Sequence, residues 1–257
     1  MNGTINRGCR ARIAGRFLWL LAEFGLAALR YARVFASANA AIYERRRSGW
    51  LQSTCRRLLR VFNVTVTAEG TIPSAGLLVS NHLGYLDILV LGATAPAVFV
   101  SKREVSGWPI IGWFARCAGT VFVHRERRSA VQASTNAIDQ ALARGNLVVL
   151  FPEGTSSGGD RVLPFKSSLL EPAIGCRHGL SACFIRYAIS EGSVAEDVCY
   201  WRDMTLLPHL LNLLGKGGVQ AGLSFTGVSN KLQNRKELAR ELHTEVLRMG
   251  GFIPATS

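Results

Sequence analysis

The sequence predicts an α/β fold with a mostly parallel or mixed central sheet, flanking helices and an N-terminal amphipathic helical segment. Short apolar runs of strand length recur from residue 62 onward, and stretches of helical periodicity or loop composition separate them. Such alternation is typical of a sheet whose strands are connected through helices. The first 60 residues have helical spacing throughout, so we expect one unit at 1–60 and a second at 61–257.

The N-terminal unit is strongly basic. The 257-residue chain has a net charge of +13. Residues 1–60 contain 12 arginines against two glutamates, which gives +10, and the rest has 18 basic and 15 acidic residues. A basic segment of this kind binds a polyanion, either nucleic acid or an anionic membrane surface.

The stretch Phe17–Tyr43 favours the membrane surface. It is rich in Leu, Ala, Phe and Trp at helical spacing and is edged by arginine, as in helices that lie in a bilayer interface. A spanning helix is the second choice, because Glu23, Arg30 and Arg33 interrupt the apolar run. Glu23 also argues against a signal peptide. A plain core-packing helix is the remaining alternative.

The apolar runs of the second unit predict strands in order along the chain, at 62–70, 77–80, 97–101, 120–123, 147–151, 181–189 and 219–225. Helices are expected from near Tyr85, over 126–145 and over 231–251, the last two ending in glycine. The six cysteines include no CxxC pair, which disfavours both a zinc site and a disulfide framework.

Three of the predicted strands end in polar residues. "LLVS" is followed by "NHLGYLD", "TVFV" by "HRERR", and "LVVLF" by "PEGTSSGGD". Functional groups gather at the carboxyl ends of strands in open α/β sheets. We therefore expect a base, a cationic group and a glycine-rich turn to meet in one cleft.

His82 and Asp87 are the expected catalytic pair. Histidine is the usual general base near neutral pH, and a carboxylate can fix its tautomer. No serine or cysteine is placed at a sharp strand-to-helix turn of the Gly-x-Ser-x-Gly type, so His82 would activate an external hydroxyl. The alternative is a buried structural pair, because a single HxxxxD is a weak motif.

Several residues are expected to bind substrate. Arg125 can hold a phosphate or carboxylate through two hydrogen bonds, and Lys102 lies just past a strand. The turn around Glu153 and Gly154 can expose backbone N–H groups to an anion, with Lys166 downstream. An ordinary glycine-rich surface loop is the alternative for this turn.

Taken together, three segments resemble one family. Asn81-His82 with Asp87, then Gly119 to Arg125, then Phe151 to Thr155 occur in the order found in the glycerolipid O-acyltransferases, the 1-acylglycerol-3-phosphate acyltransferase family. The resemblance covers about residues 60 to 230. It implies an acyltransferase domain at 61–257 and a membrane-association segment at 1–60.

The resemblance also implies roles for residues. His82 would be the base and Asp87 its orienting partner. Substrate would be bound by Asn81, Lys102, Arg125, Glu153, Gly154, Thr155 and Lys166. The family implies acyl-CoA or acyl-carrier protein as donor and no permanently bound cofactor or metal. It also implies attachment to the cytoplasmic face of the inner (plasma) membrane. The apolar character of Phe17–Tyr43 argues against nucleic acid as a partner.

Two departures concern the acceptor. Ser156 stands where many members have arginine in FPEGTRS, and "SACFIRYAI" lacks the usual proline. Together with "VCYWRDMTLLPHL" (198–210), the third segment looks more like bacterial acyltransferases that include lyso-ornithine-lipid acylators.

We therefore expect transfer of a fatty acyl group to the free hydroxyl of a lysolipid, with 1-acyl-sn-glycerol-3-phosphate as first choice and phosphatidic acid as product. Lyso-ornithine lipid or another lysolipid is the alternative acceptor. The rival hypotheses are a non-catalytic lipid- or polyanion-binding protein and a serine-type lipid hydrolase. The absence of a serine at a sharp strand-to-helix turn disfavours the hydrolase.

Overall fold

A seven-stranded sheet lies at the centre of the computed structural model, which describes residues 7–36, 39–123, 128–174, 178–229 and 234–252. Its strands are β1 Val64–Glu69, β2 Gly76–Ser80, β3 Ala97–Lys102, β4 Val121–Val123, β5 Leu147–Leu150, β6 Leu180–Ile189 and β7 Val219–Val228. Across the sheet they follow the order β1-β7-β6-β2-β5-β3-β4. The predicted mixed α/β fold is confirmed, and each predicted strand is present.

Helices lie on both faces of this sheet. In the described residues they are α1 Arg7–Phe35, α2 Ala40–Phe62, α3 Tyr85–Thr94, α4 Ile111–Cys117, α5 Arg128–Ala143, α6 Val194–Asp197, α7 Leu206–Gly215 and α8 Arg235–Met249. Two 3-10 helices span Arg103–Gly107 and Ser167–Ala173. The predicted helices over 126–145 and 231–251 correspond to α5 and α8, and their first residues, 126–127 and 231–233, fall outside the described ranges.

The pairing of the strands determines where the site forms. Strands β4, β3, β5, β2 and β6 are parallel, β7 is antiparallel to β6, and β1 is parallel to β7. β2 and β5 are buried along their whole length, as expected of parallel strands covered on both faces. Since β2 lies between β5 and β6, the chain leaves β2 and β5 at one shared edge.

Side chains from the central strands divide between two apolar layers. Leu78 and Val149 face the layer that α1, α2 and α3 cover. Leu77 and Val148 face the opposite layer, to which α5 and α8 contribute. This period-two alternation packs each strand on both faces and fixes its register.

The N-terminal segment forms two helices, whereas the sequence predicted one helix across Phe17–Tyr43. α1 ends at Phe35, and α2 begins at Ala40 after Asn39, whose side chain accepts a hydrogen bond from the backbone N–H of Ala41 at 2.8 Å. An asparagine cap favours a helix start over helix continuation. The apolar spacing on both sides of the break made the two helices look continuous.

Both N-terminal helices pack on the rest of the molecule. Leu20 and Ala27 of α1 and Trp50 and Leu58 of α2 are buried in the same apolar layer as α3. Within the described residues, no helix is both long enough and apolar enough to cross a bilayer.

Candidate active site

His82 and Asp87 meet at the carboxyl end of β2. The chain leaves β2 at Ser80, turns through Leu83 and Gly84, and starts α3 at Tyr85, which brings Asp87 back toward the imidazole. The His82 Nδ1 atom lies 2.8 Å from Asp87 Oδ2. The His82 side chain is 23% exposed and that of Asp87 is fully buried. The imidazole is therefore held by a buried carboxylate while part of the ring is accessible to solvent.

Asp87 is fixed by three further hydrogen bonds. Its Oδ2 atom accepts from the backbone N–H groups of Leu83 at 2.6 Å and Gly84 at 3.0 Å. Its Oδ1 atom accepts from the hydroxyl of Tyr187 at 2.7 Å. With the carboxylate saturated by donors, Nδ1–H of His82 donates to Asp87 and the lone pair of Nε2 is left for an external group.

Tyr187 is not among the site residues predicted from the sequence. It lies near the end of β6, 100 residues from Asp87, in a stretch that otherwise looks like a buried strand. A signal was present, because a tyrosine on a fully buried strand position usually needs a partner for its hydroxyl.

Glu153 lies beneath His82. It is 1% exposed, its Oε1 atom accepts from the backbone N–H of His82 at 2.9 Å, and its Oε2 atom accepts from that of Leu163 at 3.2 Å. Burial raises the pKa of Glu153 to about 8, against the two N–H donors, and the nearby charge of Asp87 acts in the same direction as burial. The carboxyl group thus faces the protein interior, not the cleft in which the sequence placed it.

Residues after β5 hold His82 from the other side. The ring of Phe151 stacks on the imidazole with centroids 4.2 Å apart and planes 22° from parallel. The backbone N–H of Ser157 donates to the carbonyl of His82 at 2.9 Å. The loops that follow β2 and β5 are therefore joined to each other around His82.

A third loop closes on the first two. Tyr200 donates its backbone N–H to the carbonyl of Leu83 at 2.8 Å. A Cβ atom on Gly84, whose φ is +153°, would lie 2.8 Å from that same nitrogen, so this position has room only for glycine. Ser156 donates its hydroxyl to the Tyr200 carbonyl at 2.6 Å.

The remaining predicted site residues differ in position. Asn81 is buried and uses its amide group on the backbone of Ile185, 2.9 Å to the carbonyl and 2.7 Å from the N–H, which joins β2 to β6. Gly154 turns the chain with φ +73° and donates its N–H to Phe151. Exposed positions belong to Lys102, Thr155 and Lys166. Arg125 lies outside the described residues.

An apolar cavity of about 310 Å³ adjoins the site. It lies among α1, α2, α3, α4 and α7, and Tyr85 at the start of α3 is part of its wall. Other side chains in the wall include Leu20, Phe24, Trp50, Phe114 and Leu210. A cavity with these walls accommodates a hydrocarbon chain.

The chain is similar to a group of known proteins. The family model described as Acyltransferase matches residues 63–186. A lyso-ornithine lipid O-acyltransferase of Rhizobium meliloti is 36% identical over 215 residues, 78% of this chain and 73% of that protein. One of the same name from Rhodobacter capsulatus is 37% identical over 62% of this chain and 59% of its own length.

Two further proteins are named for a different acceptor. A 1-acyl-sn-glycerol-3-phosphate acyltransferase of Neisseria gonorrhoeae is 33% identical over 52% of this chain and 56% of that protein. Among solved structures, the 1-acyl-sn-glycerophosphate acyltransferase from Thermotoga maritima matches with a TM-score of 0.66 at 19% identity, over 96% of this chain and 99% of that one. The structural match supports the observed fold.

Proposed function

The chain belongs to the acyltransferase family, and from that membership we propose that it transfers a fatty acyl group from a thioester donor to the free hydroxyl of a lysolipid. The observation that carries this proposal is the His82–Asp87 hydrogen bond, with the imidazole open to the outside. The resemblance expected from the motifs is confirmed at the level of the family.

In the proposed reaction, Nε2 of His82 takes the proton of the acceptor hydroxyl as that oxygen attacks the thioester carbonyl. A C–O bond forms, the C–S bond breaks, and the departing thiolate recovers the proton from the imidazolium. Asp87 orients the ring and stabilises its charged form. Acyl-CoA or acyl-carrier protein is the proposed donor, and the scheme needs no metal.

The substrate-binding roles are assigned as follows. We assign Glu153 and Asn81 to positioning of His82 and of the end of β2, because both side chains bond to backbone groups. Gly154 shapes the turn. Exposed Lys102, Thr155 and Lys166 stay candidates for contact with substrate, and Arg125 stays a sequence-based candidate. The apolar cavity is the proposed place for an acyl chain.

We propose lyso-ornithine lipid as acceptor. The relatives with this name align over more of the chain, 78% for the Rhizobium protein against 52% for the Neisseria one. Ser156 also supplies no charge for a phosphate group, and its hydroxyl is used by Tyr200. The second candidate is 1-acyl-sn-glycerol-3-phosphate, which the motifs favoured and the Neisseria relative supports.

We further propose attachment to the cytoplasmic face of the inner membrane through residues 1–60. On α1, large apolar side chains are exposed, with Leu29 at 74% and Phe35 at 78%. Arginines accompany them along both helices, and anionic lipid contributes about 1 kcal/mol per basic residue near the surface. An interfacial position would bring the catalytic cleft to its lipid substrates.

The test supplies the full-length protein in vesicles with labelled acyl-CoA or acyl-carrier protein and either lysolipid. We expect wild type to transfer label into ornithine lipid. His82→Ala should lower the rate of acyl transfer at least about 100-fold without changing the melting temperature. His178→Ala, at an exposed histidine, is the matched control. Near-normal turnover in His82→Ala contradicts the mechanism, and no labelled lipid from any pairing contradicts the function.

A further inference from the structure

The loop over residues 198–205, between α6 and α7, is built onto the active site. Its Tyr200 lies between Leu83 and Ser156, with hydrogen bonds of 2.8 Å and 2.6 Å to those residues. Next to it, Trp201 donates its indole N–H to the carbonyl of Ala195 at 2.9 Å. A Cβ atom on Gly158 would lie 2.7 Å from the Trp201 ring, so the indole packs directly against the backbone of Gly158. The loop therefore has a fixed position beside His82.

Arg202 is held in an unusual conformation on this loop. Its φ is +53°, in the left-handed region that residues other than glycine rarely adopt. Its guanidinium carbon lies 3.8 Å from the centroid of the Trp201 ring. The side chain is exposed, and no described carboxylate forms an ion pair with it. Arg202 thus combines a strained backbone, a ring contact with Trp201 and a charge that no described carboxylate pairs with. This combination indicates that Arg202 binds an anionic group of a ligand.

The following residue has the opposite charge. Asp203 is exposed directly after Arg202. An anionic ligand with no positive group would be repelled by this carboxylate, whereas a head group with both charges can pair with both residues. The amino-acid head group of a lyso-ornithine lipid has a carboxylate and an ammonium, and the head group of 1-acyl-sn-glycerol-3-phosphate is a phosphate alone.

We propose that Trp201, Arg202 and Asp203 form the head-group site of the acceptor, and that this site selects a zwitterionic amino-acid head group over a phosphate. Arg202, preoriented by stacking on Trp201, binds the carboxylate, and Asp203 binds the ammonium. Residue 202 is two positions from Tyr200, whose backbone carbonyl accepts from Ser156 and whose N–H donates to Leu83, the residue after His82. This inference rests on the proposed acyl transfer to a lysolipid.

The test measures KM and kcat for both acceptors with wild type, Arg202→Gln and Asp203→Asn. We expect Arg202→Gln to raise the KM for lyso-ornithine lipid about tenfold or more, with little change in kcat or in the KM for the donor. Asp203→Asn should raise that KM and lower the one for 1-acyl-sn-glycerol-3-phosphate. Arg240→Gln, which removes an exposed arginine from α8, is the matched control and should change neither value.

A KM for lyso-ornithine lipid within about twofold of wild type in Arg202→Gln overturns the head-group site. An unchanged ratio between the acceptors in Asp203→Asn overturns the selection of a zwitterion. If wild type acylates neither lipid, the proposed function fails, and equilibrium binding of lyso-ornithine lipid in detergent micelles decides the site separately. If Arg202→Gln binds lyso-ornithine lipid more weakly than wild type, the head-group site is supported. Equal binding by both proteins, or no binding by wild type, overturns the site.

Discussion

At the scale of single residues, the hydroxyl of Tyr187 links the His82–Asp87 pair to strand β6, which lies far from the pair in the sequence. It donates to Asp87 Oδ1, the oxygen that His82 does not contact. Tyr187 is buried, and burial is the main cause that raises its pKa well above the usual value, with the charge of Asp87 second. Tyr187 is therefore a neutral donor at all working pH values. We assign it as a positioning residue that acts through Asp87.

Replacement of Tyr187 by Phe tests this role. The carboxylate loses one of its hydrogen-bond donors and holds the imidazole of His82 less firmly. We expect kcat to fall about tenfold, with little change in the KM for the donor. The measurement is kcat and KM beside the melting temperature. A lower melting temperature with an unchanged kcat would show a structural role only.

Glu153 predicts a pH dependence of stability. Its pKa is about 8 in the folded protein against an ordinary value of 4.5, so the folded state retains a proton that the unfolded state releases. The resulting stabilisation is complete below pH 4.5 and is lost as pH rises through 8. Relative to Glu153→Gln, the free energy of unfolding of wild type should fall by about 1 to 3 kcal/mol between pH 5 and 8. A constant difference across that interval would mean that Glu153 is ionised throughout.

At the scale of elements, a bidentate ion pair joins α1 to α2. Glu23 accepts from Nε of Arg57 at 2.6 Å and from Nη2 at 2.7 Å, and it also accepts from the indole of Trp19 at 3.0 Å. The hydrogen bond from Arg57 is the largest cause that lowers the pKa of Glu23, which keeps the carboxylate charged. This contact explains a glutamate within an otherwise apolar helix. It also fixes how the two helices are arranged.

The ion pair between the helices is open to a double-mutant cycle. Glu23→Gln and Arg57→Gln should each lower the melting temperature by about 2 to 4 °C, because each leaves the partner without its counter-charge. The double variant should be no less stable than the poorer single one, since the same contact is lost. Thermal unfolding of the three variants and wild type measures this. Strictly additive losses would show that the two side chains act independently.

At the scale of the whole molecule, charge and exposed apolar surface coincide in the N-terminal helices. The inner sides of α1 and α2 pack on the sheet domain, while Leu18, Leu29 and Phe35 of α1 point outward. The arginines of residues 1–60 give this part of the chain most of the net charge of +13. The segment therefore both completes the core and presents a surface suited to an anionic bilayer.

Membrane attachment is tested by flotation with anionic liposomes. Leu18→Glu combined with Leu29→Glu should weaken binding at least about tenfold, because each leucine loses about 1.5 kcal/mol or more of burial in the interface. Ile72→Glu, at an exposed isoleucine between β1 and β2, is the control. Equal flotation of the double variant and wild type would contradict an interfacial α1. Wild type that stays in the aqueous fraction at low salt would contradict attachment itself.

The sequence by itself determined the strands, the class of the fold and the pairing of His82 with Asp87. Strand periodicity is local, and His82 and Asp87 are joined by a turn of a few residues, so both were visible in the order of the amino acids. The three motifs after strands were also enough for the family, which the comparisons confirm. Features that depend only on residues close together in the chain can be predicted from the sequence.

Only the tertiary structure decided what surrounds the pair. Tyr187 reaches Asp87 because β6 lies beside β2, and that neighbourhood depends on strand order, not on spacing along the chain. Glu153 faces inward because the backbone N–H groups of His82 and Leu163 need an acceptor there. The loop that carries Arg202 lies against the turn after β2 because the backbone N–H of Tyr200 donates to the carbonyl of Leu83. The sequence thus predicted the His82–Asp87 pair in "NHLGYLD", and long-range packing determined the groups that hold this pair and the loop that carries the head-group site we propose.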